Sequence, residues 1–382
     1  MKKSKKEKKV IIHLITTLDL GGAESMLFKL LSWTKDRSIF QHHVISLTGY
    51  GAVGVELQKI RIPVTALNLN QTLKDLSALF KLYYLLKSYK PQILQTWLYH
   101  SDLIGLVMGR IARVARILWN VRCADVDFSR YSITTKWIFR LLAKLSSMPD
   151  IVIVNSIAGQ TTHRSAGYRP RRWEVIPNGF DIDTFRPNLN ARKKIRAFLG
   201  INNSAPVIGM VARFDPMKDH ANFFYAANIL SRNQPEARFV LVGDGISKEN
   251  AKLMQLVEEN KVSQRTYLLG KRTDIHNIYP CFDINTLTSY SEGFSNVIGE
   301  AMACGIPCVA TDVGDSAHLI GNTGKTIPAR QSHVLAQAWL EMLTLPIDKK
   351  RHLSSMVRKR IAEQFSINII AQRYEQIYMG LN

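Results

Sequence analysis

The 382-residue sequence predicts an α/β protein built from two doubly wound parallel sheets, one in each of two domains. Three observations carry that prediction. The length exceeds what one hydrophobic core ordinarily serves, so two domains of about 180 residues each are expected. Short β-branched runs alternate with segments of helical spacing in two separate series, the pattern of parallel strands joined by crossover helices. Turn residues gather at the strand ends, the edge where ligands of such sheets bind.

The first series runs Val10 to Leu14, His43 to Leu47, Val64 to Leu67, Ile93 to Trp97, Ile117 to Val121, Ile151 to Val154 and Glu174 to Ile176. It closes at Pro177-Asn178-Gly179-Phe180-Asp181 and the break Arg186-Pro187. A polar, basic helical segment, Asn190 to Leu199, leads into the second series: Val207 to Val211, Arg238 to Val242, Thr266 to Leu269, Asp283 to Leu287 and Cys308 to Ala310. Residues Asn368 to Leu381 have helical spacing and follow the completed second series. The expected division is therefore residues 1–186 as a first Rossmann-like domain, rejoined by a C-terminal helix over about 366–382, and residues 187–365 as a second. The cleft between them is the natural place for a ligand.

Composition narrows the function. Hydrophobic residues make up 46% of the chain, enough for two cores, yet no window holds the roughly 18 uninterrupted apolar residues of a membrane-spanning helix. The lysine-rich start, Met1 to Lys9, leads into a strand without a signal-peptide core, so a cytoplasmic protein is expected. Cys123, Cys281, Cys304 and Cys308 form no C-x-x-C pair and read as buried free thiols, with no structural metal. The formal charge of +21 is uneven: residues 1–186 hold 28 Lys or Arg against 13 Asp or Glu, and the remainder 23 against 17. A basic first half attracts nucleic acid or an anionic membrane surface. The stretches Leu103 to Trp119 and Ser129 to Met148 mix arginine and lysine with apolar residues, which suits either amphipathic helices lying on lipid or core-facing helices with snorkelling cations. No RNA-binding or helix-turn-helix pattern accompanies the charge, so nucleic acid is the lesser reading.

The chemistry concentrates after the strand ending at Leu287. In Ser291-Glu292-Gly293-Phe294-Ser295-Asn296-Val297-Ile298-Gly299-Glu300, the glycine and small polar residues suit a strand-to-helix turn. Glu292 then lies in the loop and Glu300 inside the helix. The amides near Ser295, Asn296 and Val297 are the open donors of a helix N-terminus, a place for phosphate between two acceptors. Alone, the pair also reads as a capping acid plus a solvated helix residue. Upstream, Val211-Ala212-Arg213-Phe214-Asp215-Pro216-Met217-Lys218 sets an arginine and a lysine five apart at a strand end. Surface cations would look the same, but two cations here could grip a diphosphate and oppose the charge growing on a departing nucleoside diphosphate. Near the start, Gly21-Gly22-Ala23-Glu24 follows the first strand, and its glycines would let phosphate or sugar approach the backbone before a helix beginning near Glu24. Asp125-Val126-Asp127 and Asp181-Ile182-Asp183 resemble a metal-binding Asp-x-Asp but read as caps or turns. No G-x-G-x-x-G follows the first strand, which argues against a nicotinamide dehydrogenase.

From Val10 to Asn382 these residues together resemble the family 4 retaining glycosyltransferases. The resemblance rests on five elements in order: Gly21 to Glu24, Val211 to Lys218, Val242-Gly243-Asp244-Gly245, Glu292 to Glu300, and Ala301 to Ala310. It implies the GT-B fold of two facing Rossmann-like domains, and catalysis without a metal or other cofactor. It implies that Glu292 holds donor-sugar hydroxyls and Glu300 the ribose. Arg213 and Lys218 would bind the diphosphate, with the amides of Gly22, Asn296 and Val297. The nucleobase would rest on Gly270-Lys271-Arg272-Thr273, and Gly21, Lys271, Phe294 and Ser295 complete the expected donor site. Retention would follow a front-face path in which the leaving phosphate takes the acceptor proton. Many relatives place a histidine after the strand corresponding to Ile117 to Val121; here Arg122 and Cys123 occupy that region, and His100 is the substitute expected to touch acceptor or sugar.

The expected function is transfer of a hexose or N-acetylhexosamine from a nucleotide sugar, with UDP as the expected carrier, to a lipid-linked or other membrane-associated glycan acceptor during cell-surface polysaccharide synthesis. The enzyme would sit on the inner face of the membrane, its basic first domain against anionic lipid. A GDP-mannose-dependent mannosyltransferase of the same fold is the alternative donor reading, and a basic nucleic-acid-binding protein the alternative class.

Overall fold

The computed structural model describes residues 9–69, 76–122 and 132–381, and these divide into two compact units. The first is Met1–Gly179 with Ile367–Asn382; the second is Phe180–Ser366. The Arg186-Pro187 break thus falls inside the second unit, and the chain changes units at Gly179.

In the first unit the chain alternates β1 (Lys9–Ile15), α1 (Gly22–Thr34), β2 (Phe40–Ser46), α2 (Gly51–Lys59), β3 (Val64–Ala66), α3 (Leu76–Tyr89) and β4 (Ile93–Trp97). It continues through α4 (Tyr99–Ile111), β5 (Arg116–Val121), α5 (Ile133–Leu145), β6 (Ile151–Val154), α6 (Ile157–Ser165) and β7 (Trp173–Val175). The strands form one parallel sheet in the order β3-β2-β1-β4-β5-β6-β7. Both faces are covered, so the central strands are mostly apolar: Ile11, Ile12, Leu14 and Ile15 of β1 are all buried, with His13 buried between them.

The second unit follows with α7 (Leu189–Phe198), β8 (Val207–Val211), α8 (His220–Asn233), β9 (Arg238–Val242), α9 (Ala251–Glu259), β10 (Thr266–Leu268) and α10 (Ile275–Ile278). Then come β11 (Ile284–Leu287), α11 (Asn296–Ala303), β12 (Cys308–Thr311), α12 (Ser316–Ile320), β13 (Lys325–Ile327), α13 (Ser332–Leu343) and α14 (Ile347–Gln364). This sheet is also parallel, in the order β10-β9-β8-β11-β12-β13. Strand order reverses beside β1 and β4 in one sheet and beside β8 and β11 in the other. In doubly wound sheets the crevice for ligands opens at that reversal, outside the carboxyl ends of the strands.

The last helix, α15 (Ile367–Gly380), packs on the first unit beside α1. Its Tyr374 hydroxyl accepts from Asn120 Nδ2 at 3.1 Å, its Glu375 carboxylate accepts from Ser38 Oγ at 2.6 Å, and Tyr378 donates to Gln95. One expectation is corrected, one helix start is sharpened and one strand is added. Leu103 to Trp119 is not one amphipathic stretch, because α4 ends at Ile111, Arg113 takes a left-handed φ of 59°, and β5 begins at Arg116. The first helix starts at Gly22, ahead of Glu24. Edge strand β13 was not anticipated, since only Ile327 of its three residues is buried and no apolar run announces it. Cys281, Cys304 and Cys308 are buried free thiols, and burial pushes them up to about 11, 12 and 12. Asp181 caps a turn, accepting from the amides of Asp183 and Thr184, both at 3.0 Å. Cys123, Asp125-Val126-Asp127 and the basic stretch Met1 to Lys8 lie outside the described residues.

Candidate functional site

In the second unit, the loops after the two switch-point strands are tied by one ion pair. Lys218 leaves a short 3-10 turn after β8, Pro216–Lys218, which Asp215 caps by accepting from the Met217 amide at 2.9 Å. Its ammonium donates to Glu292 Oε1, in the loop after β11. The same oxygen accepts from Ser289 Oγ at 2.6 Å. The two side chains are only 18% and 14% exposed, so neither charge is fully hydrated. Two further bonds lock the loops together: Thr288 Oγ1 donates to the Lys218 carbonyl at 2.6 Å, and the Tyr290 amide to the Met217 carbonyl at 3.0 Å.

Glycine is required at two supports. Gly314 has φ 57°, and a Cβ there would sit 2.4 Å from the carbonyl oxygens of Glu292 and Gly293. The next amide, Asp315, donates to Gly293 O at 2.9 Å, so the Glu292 loop rests against this turn. Gly299 lies in α11 where a Cβ would strike the Phe180 ring at 2.0 Å. Phe180 in turn stacks on Phe294, ring centroids 6.1 Å apart, which anchors the apolar end of the glutamate loop. α11 begins at Asn296 with Ser295 at its cap position, so the amides of Asn296 and Val297 belong to its first turn, where no intrahelical acceptor exists.

Glu300 is half-buried on α11, and its Oε2 accepts from the Tyr279 hydroxyl at 3.3 Å. Tyr279 is fully buried, and desolvation together with the Glu300 charge pushes its phenol well above the ordinary range, so it remains a donor. Arg213 reaches Asp215 at 3.1 to 3.2 Å with a side chain 63% exposed, which leaves the guanidinium free to reorient. Lys271 is exposed on the loop after β10, where Arg272 forms a two-point pair with Asp274 at 2.8 and 2.9 Å. The carboxyl-edge loops of β8, β9 and β10 are knitted: Phe214 N donates to Asp244 O at 2.7 Å, and Gly243 N to Gly270 O at 2.9 Å.

The remaining expected residues belong to the first unit. Gly21 caps α1 in an extended conformation, and the room a Cβ would need is taken by the Glu24 carboxylate, 2.3 Å from that position. Gly22 opens the helix. Glu24 is buried, and desolvation raises its carboxyl above the ordinary range. His100 is the second residue of α4, half-buried, and burial lowers its imidazole below the ordinary range. Arg122 follows β5: it donates to Asn120 Oδ1 at 3.4 Å, to the Tyr374 hydroxyl at 3.3 Å and to Asn178, and lies 5.5 Å over the Trp97 ring. No carboxylate among the described residues contacts it. It fastens α15 to the end of β5.

Two groups beside the Lys218–Glu292 pair escaped the sequence reading. His220, two residues beyond Lys218, is buried with neither ring nitrogen hydrogen-bonded, and burial followed by the Lys218 charge pushes it down to about 4. Arg330 lies 4.9 Å over the Tyr290 ring, next to the Glu292 loop. His220 could have been flagged by its closeness to Lys218; Arg330 follows the unanticipated β13 and carries no such signal.

Known proteins resemble this chain over most of its length. Residues 20–184 match the family model described as Glycosyltransferase Family 4, and residues 205–344 that described as Glycosyl transferases group 1. The chain is 28% identical over 327 residues to the Escherichia coli UDP-Gal:alpha-D-GlcNAc-diphosphoundecaprenol alpha-1,3-galactosyltransferase, covering 84% of this chain and 83% of that one. It is 24% identical to the putative glycosyltransferase EpsF of Bacillus subtilis, over 80% of this chain and 79% of the relative. Among solved structures, Anabaena HepE in complex with UDP superposes with a TM-score of 0.84 at 25% identity, over 97% of this chain and 99% of HepE. The HepE complex with UDP-glucose gives 0.81 at 26% identity, with the same coverage.

Proposed function

The chain is a member of glycosyltransferase family 4, built from the two Rossmann-like units of the GT-B fold, and from that premise we propose a retaining, metal-independent hexosyl transfer from a UDP-sugar to a lipid-linked glycan. The Lys218–Glu292 pair carries the reading. It sets a cation and a hydroxyl-binding carboxylate side by side at the switch point of the second sheet. A diphosphate entering there draws Lys218 and the exposed Arg213 guanidinium, while Glu292, still held by Ser289, turns its acceptor oxygens to the sugar hydroxyls. Glu300 takes the ribose hydroxyls, and the first-turn amides of α11 take phosphate oxygens.

In the reaction the bond from the anomeric carbon to the diphosphate oxygen breaks, and the acceptor oxygen bonds that carbon on the same face. The acceptor proton passes to the departing phosphate, and the two cations oppose its growing charge in the role a metal fills elsewhere. The E. coli relative, named for a UDP-galactose donor and a diphosphoundecaprenol acceptor, supports the choice of both substrates, and the UDP and UDP-glucose complexes of HepE support the donor. A lipid-linked acceptor and the basic first half together support a seat on an anionic membrane surface. Among the described residues, no helix is long and apolar enough to cross a membrane.

A thermal-shift screen of nucleotide sugars tests the donor, because a ligand that binds only the folded chain raises its melting temperature. A UDP-hexose or UDP-N-acetylhexosamine is expected to give the shift. A shift from GDP-mannose alone transfers the reading to a mannosyltransferase, and none from any nucleotide sugar overturns it. Turnover is expected to survive chelation, and the product to keep the donor's anomeric configuration by NMR.

A further inference from the structure

Three neighbouring helices of the first unit turn apolar side chains to solvent. α3, α4 and α5 lie side by side over one face of the sheet, packing on Ile12, Leu14 and Leu94 and on Trp119, Val152 and Val154. On α3 the core takes Ala78, Leu82 and Leu86. Two residues from each, on the opposite side of the helix, Leu76, Phe80 and Tyr84 are 64%, 62% and 68% exposed. α5 repeats the arrangement: Phe139 and Ala143 point inward, while Ile133, Trp137 and Leu141 stand out, Trp137 at 66% exposure. Between them α4 leaves Val107 and Ile111 open. Scattered exposed apolar residues are ordinary on protein surfaces, but stripes at helical spacing on adjacent helices form a patch that marks an interaction surface.

The charges on the same helices decide what covers it. Lys81, Lys87, Arg110, Arg140 and Lys144 are exposed, and Arg140 lies 5.9 Å over the Trp137 ring. The three helices carry one acidic residue, Asp102, and it is fully buried. A second copy of this face would bring like charges together. Nucleic acid would answer the cations and leave the outward aromatic and branched side chains in water. An anionic lipid surface takes both, with aromatic rings at the headgroup boundary and lysine and arginine reaching the phosphates.

We propose that the α3–α4–α5 face is the membrane-seating surface of the chain, with Phe80 and Trp137 entering the headgroup layer of an anionic bilayer. The inference rests on the membrane-associated reading above and specifies the face. It also orients the acceptor. Leu76, Phe80, Ile133 and Trp137 occupy the N-terminal halves of α3 and α5, the ends nearest the carboxyl edge of the sheet. His100 and the Gly21-Gly22 turn lie at that edge, so a glycan rising from lipid meets them first.

Flotation of the full chain with phosphatidylcholine vesicles, with and without phosphatidylglycerol, tests the proposal. Wild-type chain should float with the anionic vesicles. The double variant Phe80→Ser/Trp137→Ser should lose about tenfold or more in bound-to-free ratio, since two apolar side chains no longer leave water. Its melting temperature should stay at the wild-type value, both positions being exposed. Phe198→Ser, which removes a 76% exposed ring on α7 of the second unit, should bind vesicles as the wild type does. A wild-type chain that does not float overturns the membrane reading itself. A wild type that floats together with an undiminished double variant overturns this face alone. So does a double variant that breaks a wild-type dimer in sedimentation while vesicle binding persists, which assigns the face to self-association.

Discussion

Replacing Lys218 with alanine separates the two jobs this side chain holds. In the resting protein the ammonium neutralises Glu292, and its removal leaves that carboxylate with Ser289 as its remaining partner. Breaking one side of a fully buried pair costs about 3–5 kcal/mol. With both side chains 14–18% exposed, water compensates part of this, and about 2 kcal/mol is the reasonable expectation. For a unit of this size that lowers the melting temperature by about 4–8 °C. The chemical loss is separate: removing one preorganised donor from a developing oxyanion typically lowers turnover by about 10²–10³-fold. Single-turnover kinetics at saturating donor, read beside thermal melts, distinguish the two. The double variant Lys218→Met/Glu292→Gln removes both charges, so it should recover most of the melting temperature and none of the turnover. If Lys218→Ala keeps turnover within about threefold of wild type at saturating donor, the leaving-group assignment is wrong. If the double variant melts as low as Lys218→Ala, the stability loss has nothing to do with a stranded carboxylate.

Glu300→Ala should raise the donor Michaelis constant by about 10–100-fold with a smaller change in turnover, because hydrogen bonds to a charged acceptor are lost in ground and transition states alike. Gly314→Ala places a methyl group 2.4 Å from two carbonyls of the Glu292 loop and strains a left-handed residue; steady-state turnover should fall while nucleotide binding, followed by calorimetry, survives. Tyr374→Phe strands the donors of Asn120 and Arg122, and about 1–2 kcal/mol of stability should disappear from denaturant melts, with α15 cut sooner by protease. Asp102 offers a pH test. Burial raises its carboxyl from the ordinary 3.8 to about 8, against the hydrogen bond from Thr96, which lowers it. The folded chain therefore holds a proton that the unfolded chain has released, and stability should fall as pH rises between those two values. Asp102→Asn should flatten that slope in melts taken from pH 5 to pH 8; an unchanged slope removes Asp102 as its source.

Much of this molecule is legible along the chain because parallel sheets covered on both faces write themselves as short apolar runs, and because loops at their carboxyl edges need glycine, capping acids and cations at set offsets. Twelve of the thirteen described strands are readable in that way, and Arg213, Lys218, Glu292 and Glu300 are readable as candidates near the ends of two of them. Edge strand β13 is not, since an edge needs only one buried side chain, and Arg330 beyond it was lost for the same reason. Sequence alone carried the fold class, the two series of strands and, through the family resemblance, the residues proposed to meet a nucleotide sugar. Tertiary structure alone decided that Lys218 rests on Glu292, that the returning α15 is fastened through Tyr374 to Asn120 and Arg122, and that three amphipathic helices share one outward face. Each of these depends on which elements lie side by side in space. Local periodicity records which side of an element is apolar; only the order in which strands lie side by side determines what that side meets.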